Sequence, residues 1–220
     1  MSNYSQSQGA DGATGEPERR VPSGSRGVRR RNLILDTAAT LLATDGIEAV
    51  NTNAIAARAG ISVGSVYQYF ANKADILTAL GEIYLSQLRD NTVAALEQDL
   101  SDTDLGAVVD RVIEPMIVFE RAHPAFGTLL SAPEVGGTLQ ASALQVDTRV
   151  LHTIEALLLR LRPGIDTQRA RRVALVTKAL YKSMSYLVHQ DEREPDTLPI
   201  DTLLADMKRI LVSYLREQLD

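Results

Sequence analysis

The chain of 220 residues contains no cysteine, which excludes disulfide bonds and thiolate metal sites. It also lacks long hydrophobic runs, because no apolar stretch approaches the roughly 18 residues of a membrane span. The polar N-terminus has no hydrophobic segment of the kind found in signal peptides. Together these absences predict a cytoplasmic protein without a membrane partner.

Recognisable catalytic motifs are missing as well. His123, His152 and His189 are isolated from one another in the sequence. There is no His-Glu-x-x-His, Gly-x-Ser-x-Gly, Walker or Gly-x-Gly-x-x-Gly pattern. The sequence therefore predicts no enzyme, no metal site and no cofactor.

No segment flanked by turn residues shows sustained alternation of apolar and polar residues, the pattern of a β-strand, so we predict no β-sheet. Apolar residues instead recur at helical spacing, and Gly- and Pro-containing breaks separate the segments. We predict an all-α protein, with Pro115 kinking one of its helices. The expected helices span about 31–44, two short segments between 52 and 70, 73–96, 105–122, 125–130, 139–161, 166–190 and 200–219.

Charge is distributed unevenly along the chain. The net charge is −5, yet residues 19–73 carry eight basic and three acidic residues, while residues 74–220 carry 15 basic and 22 acidic ones. Charges beyond a Debye length of about 8–10 Å are screened, so the N-terminal part can keep a positive surface. An architectural, non-specific DNA-binding protein would need basic charge over more of its surface. The asymmetry predicts two domains with different partners.

Residues 51–73 have the pattern of two short helices joined by a tight turn. Gly60 ends the first helix, because glycine tolerates the left-handed backbone of a helix end, and Ser62 is a good N-cap for the second. Ile55, Val66 and Phe70 are expected to face the core. This arrangement is a helix-turn-helix, which places its second helix in the major groove of DNA.

Residues 31–77 resemble the DNA-binding domain of the TetR (tetracycline-repressor) family. The resemblance is carried by Ile55-Ala56, Ala59-Gly60-Ile61-Ser62, Tyr67-Gln68-Tyr69-Phe70 and Asn72-Lys73. It implies a three-helix DNA-binding domain at 31–77 and a ligand-binding and dimerisation bundle at 78–220. Residues 1–30 are rich in Ser, Gly, Arg and Pro with almost no apolar content, which predicts a disordered tail. The implied function is a ligand-responsive regulator, a repressor that a small molecule releases from a near-palindromic operator. A transcriptional activator and a non-specific architectural DNA-binding protein are the alternatives.

The resemblance also assigns DNA contacts. Base-reading positions are Val63, Gly64, Tyr67 and Gln68, although Tyr67 can instead pack and Gln68 can instead be solvated. Positions that touch the DNA backbone are Thr52, Asn53, Ser65, Tyr69 and Lys73. The arginines of residues 26–31 either enter the minor groove as an arm or only keep the tail soluble.

For the C-terminal bundle, the resemblance implies an apolar or aromatic effector and a homodimer formed by the last two helices. Each candidate effector contact can instead be core packing, which is the commoner role of a lone His or Met on an apolar face: Met116, Phe119, His123, Phe126, His152, Tyr181, Met184 and Tyr186. Each of the last two helices has two apolar faces, so one face can meet a second subunit, or both can be internal core. In a dimer, the expected interface residues are Leu180, Met184, Leu211 and Tyr214.

Overall fold

The computed structural model describes residues 24–98, 104–132, 135–190 and 199–219. Within these ranges the chain forms nine α-helices and no β-strand, which confirms the predicted all-α fold. None of these helices combines the length and the hydropathy needed for a membrane span. The helices are α1 (Ser25–Asp45), α2 (Thr52–Ala59), α3 (Val63–Tyr67), α4 (Lys73–Leu96), α5 (Leu105–Ala122), α6 (Ala125–Ser131), α7 (Gly136–Leu161), α8 (Thr167–Gln190) and α9 (Ile200–Leu219).

Helix α1 begins at Ser25, six residues earlier than predicted. Residues 25–30 are therefore helical, and the prediction of a disordered tail is wrong for them. Arginine has a high helix propensity, and a helix already anchored by the buried Ile34 and Ala38 extends at low cost. The rest of the predicted tail, residues 1–23, lies outside the described residues.

Local side-chain capping sets the boundaries of the next three helices. Asn51, Ser62 and Asn72 each accept a hydrogen bond from the backbone N–H three residues later, at 2.9, 3.1 and 2.9 Å. Gly60 lies between α2 and α3 with φ 65° and ψ 37°, the left-handed conformation expected there. The sequence therefore encodes the turn of the helix-turn-helix almost entirely through local contacts.

The second helix of the motif is shorter than the apolar pattern suggested. α3 ends at Tyr67, and the next residues continue as a tight turn in which the Phe70 N–H donates to the Val66 carbonyl at 3.1 Å. Val66 and Phe70 are nevertheless buried, as predicted. The turn returns the chain to the core directly before α4 begins.

Two apolar cores organise the molecule, and α4 contributes to both. The first core contains Ile34 and Ile55 from the helix-turn-helix region, Leu77 from α4, and Phe126 and Leu139 from α6 and α7. The second core lies among α5, α7, α8 and α9 and includes Leu96, at the end of α4. The domain boundary that we predicted after Leu77 thus falls within α4, a single helix that contributes residues to both cores.

Two residues that we expected at a subunit interface are buried inside the subunit. Met184 and Leu211 have 0% and 1% of their surface exposed and belong to the second core. The large apolar side chains exposed on α8 and α9 are instead Leu175, Tyr186 and Ile210. Both helices are apolar on two sides, so periodicity alone could not tell which side faces the core.

Substitution of Gly60 tests whether the turn between α2 and α3 depends on the positive φ of this residue. A Cβ at Gly60 would meet no atom within 4 Å, so only the positive φ opposes a side chain. We expect Gly60→Ala to lower the free energy of unfolding by about 1 kcal/mol. Circular dichroism during urea denaturation measures this change.

Gly64→Ala is the matched control, since Gly64 lies within α3 without a positive φ. Alanine there should leave stability unchanged or raise it by roughly 0.5–1 kcal/mol. Equal destabilisation by both substitutions would contradict the backbone explanation.

Candidate functional site

Tyr67 is exposed on the helix-turn-helix but held in place. Its side chain is 43% exposed, and its hydroxyl lies 3.3 Å from the Thr52 hydroxyl at the start of α2. This hydrogen bond joins the two helices of the motif and restricts the tyrosine ring. The structure thus brings together two of the predicted DNA contacts, one on each helix.

The other predicted positions on α2 and α3 differ in accessibility. Asn53, Gly64 and Gln68 are exposed. Val63 is partly buried against the first core, and the Ser65 hydroxyl lies 2.8 Å from the Ser62 hydroxyl. A ligand can therefore reach the amide, the glycine backbone and the glutamine most freely.

Tyr69 and Lys73 are tied into the domain more closely than the sequence suggested. Tyr69 packs partly buried against the first core. The Lys73 ammonium donates to the Ile47 carbonyl at 2.7 Å and so holds the connection between α1 and α2. The assignment of Lys73 to a DNA phosphate therefore stays a prediction.

Three arginines form a basic surface beside the motif. Arg26, Arg29 and Arg30, on the first turns of α1, line a groove together with Ser65, Gln68 and Tyr69. Sequence reasoning did not place them there because it assigned these residues to a disordered tail. Their spacing of three and four residues, which puts them on one helical face, was the signal that could have located them.

An apolar cavity lies within the bundle, between the end of α4 and helices α5, α7, α8 and α9. It is narrow, about 60 Å³, and Leu, Val and Ile side chains form most of its wall. Two of the predicted effector contacts, Met116 and Tyr181, line this cavity.

Three other predicted contacts lie elsewhere, in an aromatic cluster that belongs to the first core. The ring centroids of Phe119 and Phe126 lie 6.4 and 5.9 Å from that of Tyr84 on α4. The His123 ring lies 4.7 Å from Tyr84, and its Nδ1 is 2.7 Å from the Phe119 carbonyl oxygen. Burial and the nearby Asp36 carboxylate raise the pKa of Tyr84. The cluster therefore joins α4, α5 and α6 close to α1.

The remaining candidates are also separate from the cavity wall. Met184 is fully buried in the second core, whereas His152 on α7 and Tyr186 on α8 are exposed. The structure does not bring the effector candidates together as one group.

A buried carboxylate beside the cavity was missed by sequence reasoning. Glu120 is only 2% exposed and accepts a hydrogen bond from the Tyr181 hydroxyl at 2.7 Å. Burial, together with the charge and hydrogen bonding of Glu120, raises the pKa of Tyr181 well above its ordinary value. The position of Glu120, four residues after Met116, was the available signal that it faces inward. The described residues contain no group of three or more His, Cys, Asp or Glu side chains that could hold a metal ion.

Family comparisons match both parts of the chain. The family model described as "Bacterial regulatory proteins, tetR family" matches residues 34–80. The one described as "Tetracyclin repressor-like, C-terminal domain" matches residues 104–215. Together they cover more than half of the chain.

Curated relatives align over shorter regions. HTH-type transcriptional regulator BetI from Escherichia coli is 37% identical over 90 residues, 40% of this chain and 46% of that protein. HTH-type transcriptional repressor KstR from Mycolicibacterium smegmatis is 43% identical over 53 residues, 24% of this chain and 26% of that protein. The aligned regions thus span less than half the length of these relatives.

Solved structures align over most of the chain. A TetR-family transcriptional regulator from Streptomyces coelicolor is 25% identical with a TM-score of 0.61, covering 88% of this chain and 99% of that one. FadR from Bacillus subtilis, solved in complex with stearoyl-CoA, is 19% identical with a TM-score of 0.59, covering 83% of this chain and 97% of that one. The likeness to FadR concerns the fold alone.

Proposed function

The chain belongs to the TetR family of bacterial regulatory proteins, and on that basis we propose that it is a repressor that binds a near-palindromic operator as a homodimer. A small-molecule effector releases it from the operator, in the cytoplasm. Members of this family are generally not enzymes. The observation that carries the proposal is the exposed polar surface of α2 and α3, which lies beside the basic first turns of α1.

Base reading is assigned to the exposed part of the motif. Tyr67 projects from α3 while its hydroxyl is held by Thr52, so little side-chain entropy is lost on binding. Gln68 can bond adenine bidentately, and Gly64 allows close approach of the backbone. Val63 completes the set, whereas Thr52, Asn53, Ser65, Tyr69 and Lys73 are assigned to the DNA backbone.

The arginines of α1 are assigned to phosphates. Arg26, Arg29 and Arg30 share a groove with Gln68 and Tyr69, so DNA that contacts α3 also passes this basic face. Because these arginines are on a helix and not on a flexible arm, contact with the DNA backbone fits them better than insertion into the minor groove.

The exposed apolar face of α8 and α9 is assigned to the dimer. Tyr186 is 63% and Ile210 is 58% exposed in the single subunit, and Leu175 lies on the same pair of helices. Two copies related by a two-fold axis would bury these side chains against each other. The dimer then presents two α3 helices to successive major grooves, as a near-palindromic operator requires.

The effector is assigned to the apolar cavity. FadR from Bacillus subtilis, which shares the fold, was solved with stearoyl-CoA, a ligand that carries a long apolar acyl chain, and this supports an effector with an apolar part. On α5, Met116 lines the cavity and Phe119 lies one turn further on, in the aromatic cluster of the first core. A ligand that moves α5 therefore acts on the core that supports the DNA-binding helices.

Tyr67→Ala tests base reading. Without the tyrosine ring against a base, binding to the operator should weaken by about 1–3 kcal/mol, while binding to random DNA stays nearly unchanged. Fluorescence anisotropy at one fixed salt concentration measures both. Tyr67→Phe is the matched control, because it keeps the ring and removes only the hydroxyl next to Thr52. Equal weakening on operator and random DNA for the alanine variant would remove Tyr67 from the base-reading set.

Replacement of Arg26, Arg29 and Arg30 by Gln tests the phosphate assignment. Operator and random DNA should lose affinity alike, and the slope of log K against log salt should become shallower by about 0.9 for each phosphate that an arginine no longer neutralises. Arg111→Gln with Arg149→Gln, both exposed on the bundle, is the control. A selective effect on operators whose flanks are A·T-rich would instead favour minor-groove insertion.

Tyr186→Glu combined with Ile210→Glu tests the dimer face. A charge without a partner is costly in a dry interface, so the variant should sediment as a folded monomer with weak operator affinity. Leu144→Glu is the control, since Leu144 is 67% exposed on α7, outside this face. A variant that remains dimeric would place the interface elsewhere.

A further inference from the structure

The wall of the bundle cavity is almost entirely aliphatic. Leucine, valine and isoleucine side chains from α4, α5, α7 and α9 surround it, and Tyr181 is its one aromatic side chain among the described residues. Such a wall favours flexible or saturated hydrocarbon, because it has few ring faces on which a planar aromatic molecule could stack.

The polar part of the wall is confined to one stretch of α8. Thr177, Lys178 and Tyr181 line the cavity there, and Thr177 and Tyr181 lie four residues apart on the same helical face. The surface that these residues present to the cavity is nearly all carbon, so a ligand reaches the Thr177 and Tyr181 hydroxyls only where it separates the side chains around them.

Thr177 has an unusual hydroxyl for a helical threonine. The hydroxyls of Thr92, Thr153 and Ser183 all donate to the carbonyl oxygen four residues earlier. The Thr177 hydroxyl oxygen is buried and has no hydrogen-bond partner within the described part of the chain. A buried polar group in this state costs free energy that a ligand can recover by bonding to it.

The neighbouring Tyr181 hydroxyl complements Thr177. Its hydrogen is donated to Glu120, so towards the cavity its oxygen can act only as an acceptor. Thr177 can donate or accept. A ligand hydroxyl, which also donates and accepts, satisfies both residues at once.

Charge at this end disfavours an anionic ligand. Glu120 lies directly behind Tyr181, so a ligand carboxylate would approach a buried acidic side chain. Lys178, the cation of the wall, lies 3.2 Å from Asp147, which also pairs with Lys182 at 2.6 Å. Asp147 balances only one of these two ammonium groups, so Glu120, which bonds the Tyr181 hydroxyl directly, is what disfavours an anion at this end.

We infer that the cavity binds a neutral, largely aliphatic molecule that carries a hydroxyl group, with the hydroxyl placed between Thr177 and Tyr181. The cavity is small beside ligand pockets of about 300–1,000 Å³, so the ligand binds by separating the surrounding side chains. This inference rests on the proposed function for its regulatory meaning, whereas binding itself can be measured without DNA.

Decanol and decanoate are matched probes, because they share a chain length and differ in the charge of the head group. Calorimetric titration of the full chain, at a pH where decanoate is ionised, should show at least about tenfold tighter binding of decanol. Equal or tighter binding of decanoate would overturn the assignment of a neutral ligand. Failure of both probes to bind would overturn the assignment of an aliphatic one.

Thr177→Val locates the head group. The substitution preserves the shape of the side chain and removes a hydroxyl without a partner, so the variant should fold. It should weaken decanol binding roughly three- to tenfold, whereas Thr148→Val, whose hydroxyl bonds the Leu144 carbonyl away from the cavity, should not. Unchanged binding of decanol to Thr177→Val would overturn the placement of the hydroxyl.

Operator release is measured separately. Decanol that binds in the predicted manner without releasing operator DNA would support the ligand class and contradict the proposed switch. Absence of specific operator binding would contradict the proposed function while leaving the calorimetric result intact.

Discussion

The packing of α4 into both apolar cores is the constraint on which the rest of the structure depends. Its first half buries Leu77 and Leu80 with the helix-turn-helix, and its last turn buries Leu96 with the bundle. Midway, Gly81 is so close to α7 that an added Cβ would lie 2.5 Å from the Leu139 side chain. Close-packed interiors deform little, so a shift of α7 that presses on α4 is transmitted along α4.

The proposed switch uses the same continuity. α5 contributes Met116 to the cavity wall and Phe119 to the aromatic cluster one turn later, with Pro115 interrupting its hydrogen-bond ladder. Tyr84 connects this cluster to α4. By linkage, an effector that prefers one arrangement of these helices must bind less tightly when operator DNA holds the other. In the proposed switch, ligand binding and DNA binding would compete through α5, which contacts both the cavity and the first core.

Local chemistry made much of the fold predictable from the sequence. Ser62 caps α3 where the sequence indicated, Asn51 and Asn72 cap α2 and α4 in the same way, and Gly60 supplies the positive φ of the turn. Most helix boundaries of the bundle followed from Pro and Gly breaks, because those residues act on their own backbone. The DNA-binding motif was recognisable for the same reason: its spacing and caps are local. Its assigned DNA contacts remain predictions.

What the sequence determined by itself was therefore which segments are helical and where most of them begin and end. Only the tertiary structure decided which face of each helix is buried. Met184 and Leu211 lie in the core, whereas Tyr186 and Ile210 lie on the surface. It also separated Phe119 and Phe126 from Met116, brought Glu120 to Tyr181, and placed Arg26 and Arg29 beside α3. These outcomes depend on contacts between residues distant in sequence, and helical periodicity carries no information about the partner that each face will meet.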